Sequence, residues 1–573
     1  MNEVMTGRWW KQLNILTYLG LALVMVLASF ALYHESLESP FVLDDTKKIE
    51  SNPDLRSPEP TFSTFIRNYD EIKTRMANDP SRPLTFLLYW VGWQVGDGSP
   101  VPFHVINILV HALASLFAGL LCARLVARLS GAEASPFVAL FAGVLFLVSP
   151  INGGTAIYAY GLSDILVSFF ALWILSLVAK WEDPDWKKLL ALGALYFLAL
   201  ASKQNAVVIP ALAVIVSPRQ YRSHVLLFAM ALTYLVARYL YFGRIGDLEA
   251  YETHDVYDYV TIQGVMYLKY VWLTFVPFGL SIDHALFPRE FPEYLRYLSW
   301  SVLTVVTLAS TWALFKRRGG WQIASAGWLL FFVAMLPTNS FFPTTDLFVE
   351  RRSYFSTAGL LLAVFGLVPW LSRSRVWMRG AIASGLVAAT FYSYVSWSRI
   401  EVFTSEETLW KEVMKQYPED SRSRLNLSVY YLKRDQFAEA KPILEKLISE
   451  ADYNFDAWAN LGTVYHSPKS RFRDLAMAEK CYEKALSYEP TATETLANFG
   501  YLMIERKNHE KAKVLFERAL AVSPKSPHLN FGAATAASRR GDQAEARRYF
   551  EEALRWDPGF EPAQRGLASL PTN

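Results

Sequence analysis

Trp458-Ala-Asn-Leu-Gly-Thr-Val-Tyr465, followed by Ala478, Tyr482, Ala485 and Pro490, is the stretch on which the organisation of the chain turns. Its aromatic, apolar and small residues recur at helical spacing, and its closing proline returns at Pro524 and Pro558, a period of 34. The next unit carries Leu496, Phe499, Gly500, Ala512, Phe516 and Ala519, and the last carries Asn530, Ala534, Ala546, Phe550 and Ala553. Each unit reads as two helices that cannot bury an apolar face alone, so neighbouring units must stack. Small residues at Gly462, Gly500 and Ala534 let paired helices approach, while Tyr482 and Phe516 fill the space between successive pairs.

Outward from that stretch, the pattern is that of tetratricopeptide repeats with an insertion at His466 to Arg473. A degenerate unit runs from Arg424 through Leu427, Ser428, Tyr431 and Ala440, and Trp410 to Pro418 reads as a half-repeat cap. Residues 421–573 are therefore expected to form an α-solenoid, with 398–420 as connector and cap. Farther upstream the composition changes. The 573-residue chain is 52% hydrophobic, and nearly all its long apolar runs precede residue 397. They lie at 13–33, 103–123, 137–150, 163–179, 188–201, 205–216, 224–242, 297–315, 321–336, 354–371 and 380–397. Residues 1–397 are thus predicted to be an all-α polytopic membrane bundle of about eleven crossings.

Arg8 and Lys11 precede the first run, and Arg124/Arg128, Lys187/Lys188, Arg219/Arg222, Lys316 to Arg318 and Arg373/Arg375/Arg379 fall in alternate loops. Such charges stay on the cytoplasmic side, which predicts a cytoplasmic N-terminus and, after an odd number of crossings, repeats on the external face. That parity holds if the aromatic stretch 260–279 is interfacial or re-entrant. A net charge of +3 with no basic stripe argues against nucleic-acid binding. The only cysteines, Cys122 and Cys481, supply neither a disulfide framework nor a CxxC metal site.

The external loops hold the candidate chemistry. The first, about 34–102, is too long for a plain connector, and its apolar stretches 62–65 and 85–95 predict folded interfacial helices. It contains Asp44, Asp45 and Arg82. Adjacent carboxylates raise one another's proton affinity, which suits one as a general base, or the pair as ligands of a divalent cation such as Mg or Mn; a turn or cap is the other reading. Lys203, Arg351 and Arg352 are the candidate phosphate clamp, the alternatives being a snorkelling lysine and arginines paired with Asp346 or Glu350. Asp164 opens a crossing, as a helix cap or as a second carboxylate near an acceptor. Arg82, Glu350 and His284 are accessory candidates. His104 and His111 share a helix face, as interhelical hydrogen-bonding residues or as metal ligands.

Phe41-Val-Leu-Asp-Asp45, Ser51-Asn-Pro-Asp54, Arg82-Pro-Leu-Thr85, Phe103 to His111, Gly161-Leu-Ser-Asp164, Ser202-Lys-Gln-Asn205 and Glu350-Arg-Arg-Ser-Tyr354 fall in an order and spacing that resembles the transmembrane and tetratricopeptide-repeat O-mannosyltransferases and their bacterial relatives, within the GT-C glycosyltransferases. The resemblance covers nearly the whole chain. It implies a sugar taken from a polyprenyl-phosphate carrier on the external side and passed to a hydroxyl of a protein or glycan, with Asp44 as the base, Asp45 assisting and the repeats recruiting the acceptor or a partner protein. Together with the compact loops it implies a bacterial inner membrane with the repeats periplasmic, the equivalent site in a eukaryote being the endoplasmic-reticulum lumen. Two other readings of the residues stand beside it: a non-enzymatic envelope scaffold, and a glycan polymerase or ligase using lipid-linked oligosaccharide.

Overall fold

The computed structural model describes residues 15–58, 79–131, 133–243, 245, 255–286, 290–339, 343–344, 346–371 and 373–571; Arg8, Lys11 and the stretch 62–65 lie outside them. Every regular element among these residues is helical. The chain divides into two compact units, Met1–Leu409 and Trp410–Asn573, and the helix Glu406–Gln416 begins in the first and ends in the second.

In the first unit the 30-residue helix Val101–Ser130 is the hub, with Ile15–Tyr33, Pro136–Leu147 and Leu162–Lys180 against it. Two-thirds of its apolar window is buried, whereas Leu16, Leu19, Leu23 and Leu27 of the first helix remain exposed, a face suited to hydrocarbon. Helices pack backbone to backbone where glycines face each other. A Cβ on Gly359 would stand 2.6 Å from the Phe331 amide nitrogen, so the pair Gly320–Met335 and Thr357–Phe365 depends on a missing side chain there.

Among the described residues, five helices are long and apolar enough to cross a membrane: Ile15–Glu38, Val101–Ser130, Ala159–Lys180, Tyr221–Phe242 and Glu293–Lys316. The run expected at 137–150 breaks at its end. Pro150 opens a new helix, and Pro136–Leu147 meets Pro150–Ile157 at 65°, because proline starts a helix well but cannot continue one. Gln204–Val216, Gly320–Met335 and Thr357–Leu371 are shorter apolar helices, so eleven crossings require these to traverse as well, together with the bent pair and the helices Trp186–Ser202 and Arg375–Val402. The aromatic stretch forms the helix Val256–Phe275, whose start is fixed by the Asp255 carboxylate accepting the Tyr257 and Asp258 N–H groups. Its Tyr259, Met266 and Tyr270 are buried against neighbours that include Phe331 and Phe348. Arg124 is not a free loop charge: it is buried, donating to the Ser176 carbonyl at 2.7 Å and to the Tyr18 hydroxyl at 2.9 Å.

The second unit is a run of helix pairs: Ser421–Lys433 with Phe437–Glu450, Phe455–His466 with Leu475–Tyr488, Thr493–Glu505 with His509–Val522, and Pro527–Arg540 with Gln543–Trp556. Asp420, Asn454, Asp474, Asn508, Ser526 and Asp542 each accept a backbone N–H of the helix they start. The insertion closes on itself as the Asp474 N–H donates to the Tyr465 carbonyl at 2.8 Å. Gly500 lies under the Phe516 ring, where a Cβ would come within 2.7 Å of it.

Candidate active site

The segment carrying the twin aspartates is strained. Leu43 has φ +54°, a left-handed backbone that a branched side chain seldom adopts, and the short helix that follows continues with π-type hydrogen bonding over Thr46–Glu50. Three contacts hold it. The Leu43 N–H donates to Glu406 Oε1 at 3.2 Å, the Asp44 N–H donates to the Tyr158 hydroxyl at 3.1 Å, and Asp45 accepts backbone N–H groups at both oxygens, from Tyr160 at 2.7 Å and from Val42 at 3.2 Å.

Asp44 and Asp45 therefore differ in kind. Asp45 is 1% exposed and clamps the segment to the turn Ala159–Gly161. Burial pushes its carboxyl well above the ordinary range, against those two N–H bonds, with Asp44 adding to the rise. The Asp44 carboxylate, half-buried, has no hydrogen-bond or ion-pair partner among the described residues. With both Asp45 oxygens engaged, the pair offers one free carboxylate, and no group of three His, Cys, Asp or Glu among the described residues is placed to hold a metal.

Asp164 is a hub of charge. It stands in the first turn of Leu162–Lys180, yet its side chain caps no backbone N–H; Lys203 Nζ lies 2.6 Å from Oδ1 and Arg351 Nε 3.9 Å from Oδ2. Lys203 follows the end of Trp186–Ser202 and is buried, so its side chain points inward rather than snorkelling. Burial lowers its pKa to about 8, with Asp164 pulling the other way. For Arg351 burial also opposes the charge, but Tyr158, Asp164 and Asp44 outweigh it and hold the pKa above its usual value. Arg351 also lies over the Tyr158 ring, 6.0 Å from its centroid.

Arg351 borders two recesses. One, of about 390 Å³, has Asp164, Arg351 and Arg352 at its polar part and Val167, Ile209 and Phe355 among its apolar walls. The other, of about 290 Å³, is bounded by Thr155, Tyr158, Ser281, Glu350 and Phe403. The Thr155 hydroxyl is buried without a hydrogen-bond partner. Arg82 lies by a third recess with Lys48 and Tyr160 and is ion-paired with Asp79 at 3.0 Å.

Arg352 is held by its own loop, donating to the Asp346 carbonyl at 3.0 Å and the Thr344 hydroxyl at 2.9 Å. Glu350 turns away from Arg351. It accepts from Arg399 at 2.7 Å, from His284 Nε2 at 3.2 Å and from the Ser281 N–H at 2.6 Å, all buried. The Lys269 ammonium donates to His284 Nδ1 at 3.1 Å, which leaves His284 a neutral ring donating through Nε2, in keeping with the lowering of its pKa by burial. His104 and His111 serve packing: His104 Nε2 donates to the Ser39 carbonyl and His111 Nε2 to the Leu147 carbonyl, both at 3.0 Å.

Sequence reasoning missed Tyr158, Arg399 and Glu406. Arg399 carried a signal, an arginine within the apolar-rich helix Arg375–Val402, since such charges mark a buried partner. Tyr158 and Glu406 carried none, because their partners lie 114 and 363 residues away.

The fold and site define a helical membrane protein with a tetratricopeptide-repeat unit, and known proteins agree. The tetratricopeptide repeat family matches residues 527–560. A Caenorhabditis elegans protein O-mannosyl-transferase is 22% identical over 59% of this chain and 50% of its own length; a human one is 21% identical over 92% of this chain and 67% of its own. A Drosophila melanogaster protein of that name is 30% identical over 30% of this chain and 18% of its own. The chain thus spans about half of the worm relative and about two-thirds of the human one. Among solved structures, a repeat protein of Thermus thermophilus aligns with 33% of this chain and 97% of its own, at 18% identity and a TM-score of 0.26. The chain is thus similar to protein O-mannosyl-transferases and has several apolar helices and tetratricopeptide repeats.

Proposed function

We propose that the membrane unit moves a hexose, mannose by analogy with the names of its relatives, from a polyprenyl-phosphate donor to a hydroxyl of a protein or glycan at the external face. The observation that carries this reading is Asp44, a carboxylate without a hydrogen-bond or ion-pair partner among the described residues, near a half-buried arginine, Arg351, that also borders an apolar-walled recess. An isoprenoid tail suits those walls, and its phosphate suits Arg351 and Lys203, whose charges are partly shielded from water and so act more strongly than at an open surface.

In the reaction the acceptor oxygen attacks the anomeric carbon and Asp44 takes its proton. The bond from that carbon to the phosphate oxygen breaks, the polyprenyl phosphate leaves with the electron pair, and Lys203 and Arg351 meet its negative charge. Attack opposite the leaving group inverts the anomeric carbon. Asp45 holds the segment rather than the substrate. The repeats recruit or orient the acceptor or a partner protein, with the N-terminus cytoplasmic and the repeats external.

The test is Asp44→Asn in the full-length protein. Transfer, followed by mass spectrometry of glycoproteins and glycolipids in cells lacking the native copy, falls about a hundredfold or more while membrane insertion is retained. An unchanged glycan profile removes Asp44 as the base, and a reporter after Pro558 read from the cytoplasm overturns the topology.

A further inference from the structure

We infer that Glu406 is a positioning residue for Asp44, holding the left-handed Leu43 backbone through the Leu43 N–H. The inference rests on the reading of Asp44 as the base. Leu43 at φ +54° is a conformation that leucine leaves unless its surroundings hold it there. The Glu406 carboxylate accepts the Leu43 N–H at 3.2 Å, one residue before the aspartate. On the other side the Asp44 N–H is taken by Tyr158 and the Asp45 carboxylate is taken by Val42 and Tyr160, so the three contacts together fix where the Asp44 side chain leaves the backbone.

Glu406 is itself held. It is the first residue of Glu406–Gln416, and Ser405 and Thr408 cap that helix reciprocally: the Thr408 N–H donates to Ser405 Oγ at 3.1 Å and the Ser405 N–H to Thr408 Oγ1 at 3.2 Å. Thr408 Oγ1 also donates to the Val402 carbonyl at 3.0 Å, pinning the turn that leads in. An acidic residue at a helix start is ordinary, and a solvated one would need no partner. This one reaches a backbone N–H 363 residues away, next to the base.

The test uses the full-length protein in cells lacking the native copy, with Asp44→Asn as reference, glycan occupancy read by mass spectrometry, and hydrogen exchange of the segment 41–49 measured in nanodiscs. Glu406→Gln, which keeps an accepting oxygen at the same reach, retains transfer and exchange protection. Glu406→Ala, and Glu406→Asp as the variant closest to the native fold, lose transfer about tenfold or more and exchange faster at that segment, because a small misplacement of a catalytic group is costly. Transfer and protection unchanged in Glu406→Asp, while Asp44→Asn is inactive, overturn the inference and leave the base in place. Full transfer in Asp44→Asn overturns the base itself. Loss in Glu406→Gln equal to that in Glu406→Asp also overturns the inference, since the charge and not the accepted N–H would then matter.

Discussion

Lys203 and Arg351 reach one carboxylate from separate loops: Asp164 has the ammonium 2.6 Å from one oxygen and the guanidinium 3.9 Å from the other. Asp44 also acts on Arg351, so two carboxylates balance the two cations in a half-buried place. A donor phosphate would compete with Asp164 for both cations, which ties the proposed donor site to solution conditions.

The Lys203 ammonium, lowered from 10.5 to about 8, loses its proton within reach of ordinary buffers. Donor KM in the wild type is expected to rise as pH climbs through about 8, and Lys203→Arg, which stays charged, is expected to remove that rise. Stability moves the other way. Between about 8 and 10.5 the unfolded chain holds the proton that the folded one has released, so folding stability increases with pH across that window, measurable by thermal unfolding.

Asp45→Asn tests whether the second aspartate is structural. An amide has one accepting oxygen, so its NH2 would face either the Val42 or the Tyr160 N–H, two donors meeting in a buried place. A loss of about 1–3 kcal/mol in stability is expected, by chemical unfolding in detergent, together with reduced transfer. Asp44→Asn should cost less than Asp45→Asn, because the Asp44 carboxylate accepts no hydrogen bond among the described residues.

Arg399→Met leaves Glu350 buried against only His284 and the Ser281 N–H. The expected cost is about 3–5 kcal/mol, and Arg399→Met combined with Glu350→Gln should recover part of it, read as thermal unfolding of the full chain. Burial alone would raise the Glu350 pKa, but Arg399 and His284 hold it below 4.5, so the pair's stabilisation persists above that pH and disappears as the pH falls through the lowered value.

In the repeats, Gly500→Leu is expected to cost about 1–3 kcal/mol in the same unfolding measurement, since the added side chain must displace the Phe516 ring.

The repeats were the most legible part of the sequence, because each glycine–aromatic pair recurs at a fixed interval and meets within one unit or the next. Gly462 lies under Tyr482, and Gly500 under Phe516, as the spacing required. The charged site was legible in composition but not in pairing. Lys203, Arg351 and Asp164 were visible as charges at the ends of apolar runs, whereas nothing local said that Glu350 would turn to Arg399 and leave Arg351 to Asp164. Twin aspartates looked equivalent in the sequence; only the N–H groups of Val42 and Tyr160 separate them. The break at Pro150 was readable from proline chemistry, but an apolar run alone does not report a bend.

The bond from Leu43 to Glu406 also orders events during synthesis. A ribosome adding about 5–20 residues per second needs about 20–70 s to cover the 363 positions between them. Until it has done so, the aspartate segment lacks the acceptor for its strained amide, so a nascent chain threads its membrane helices before that segment is held, and gains the contact only when Glu406 emerges.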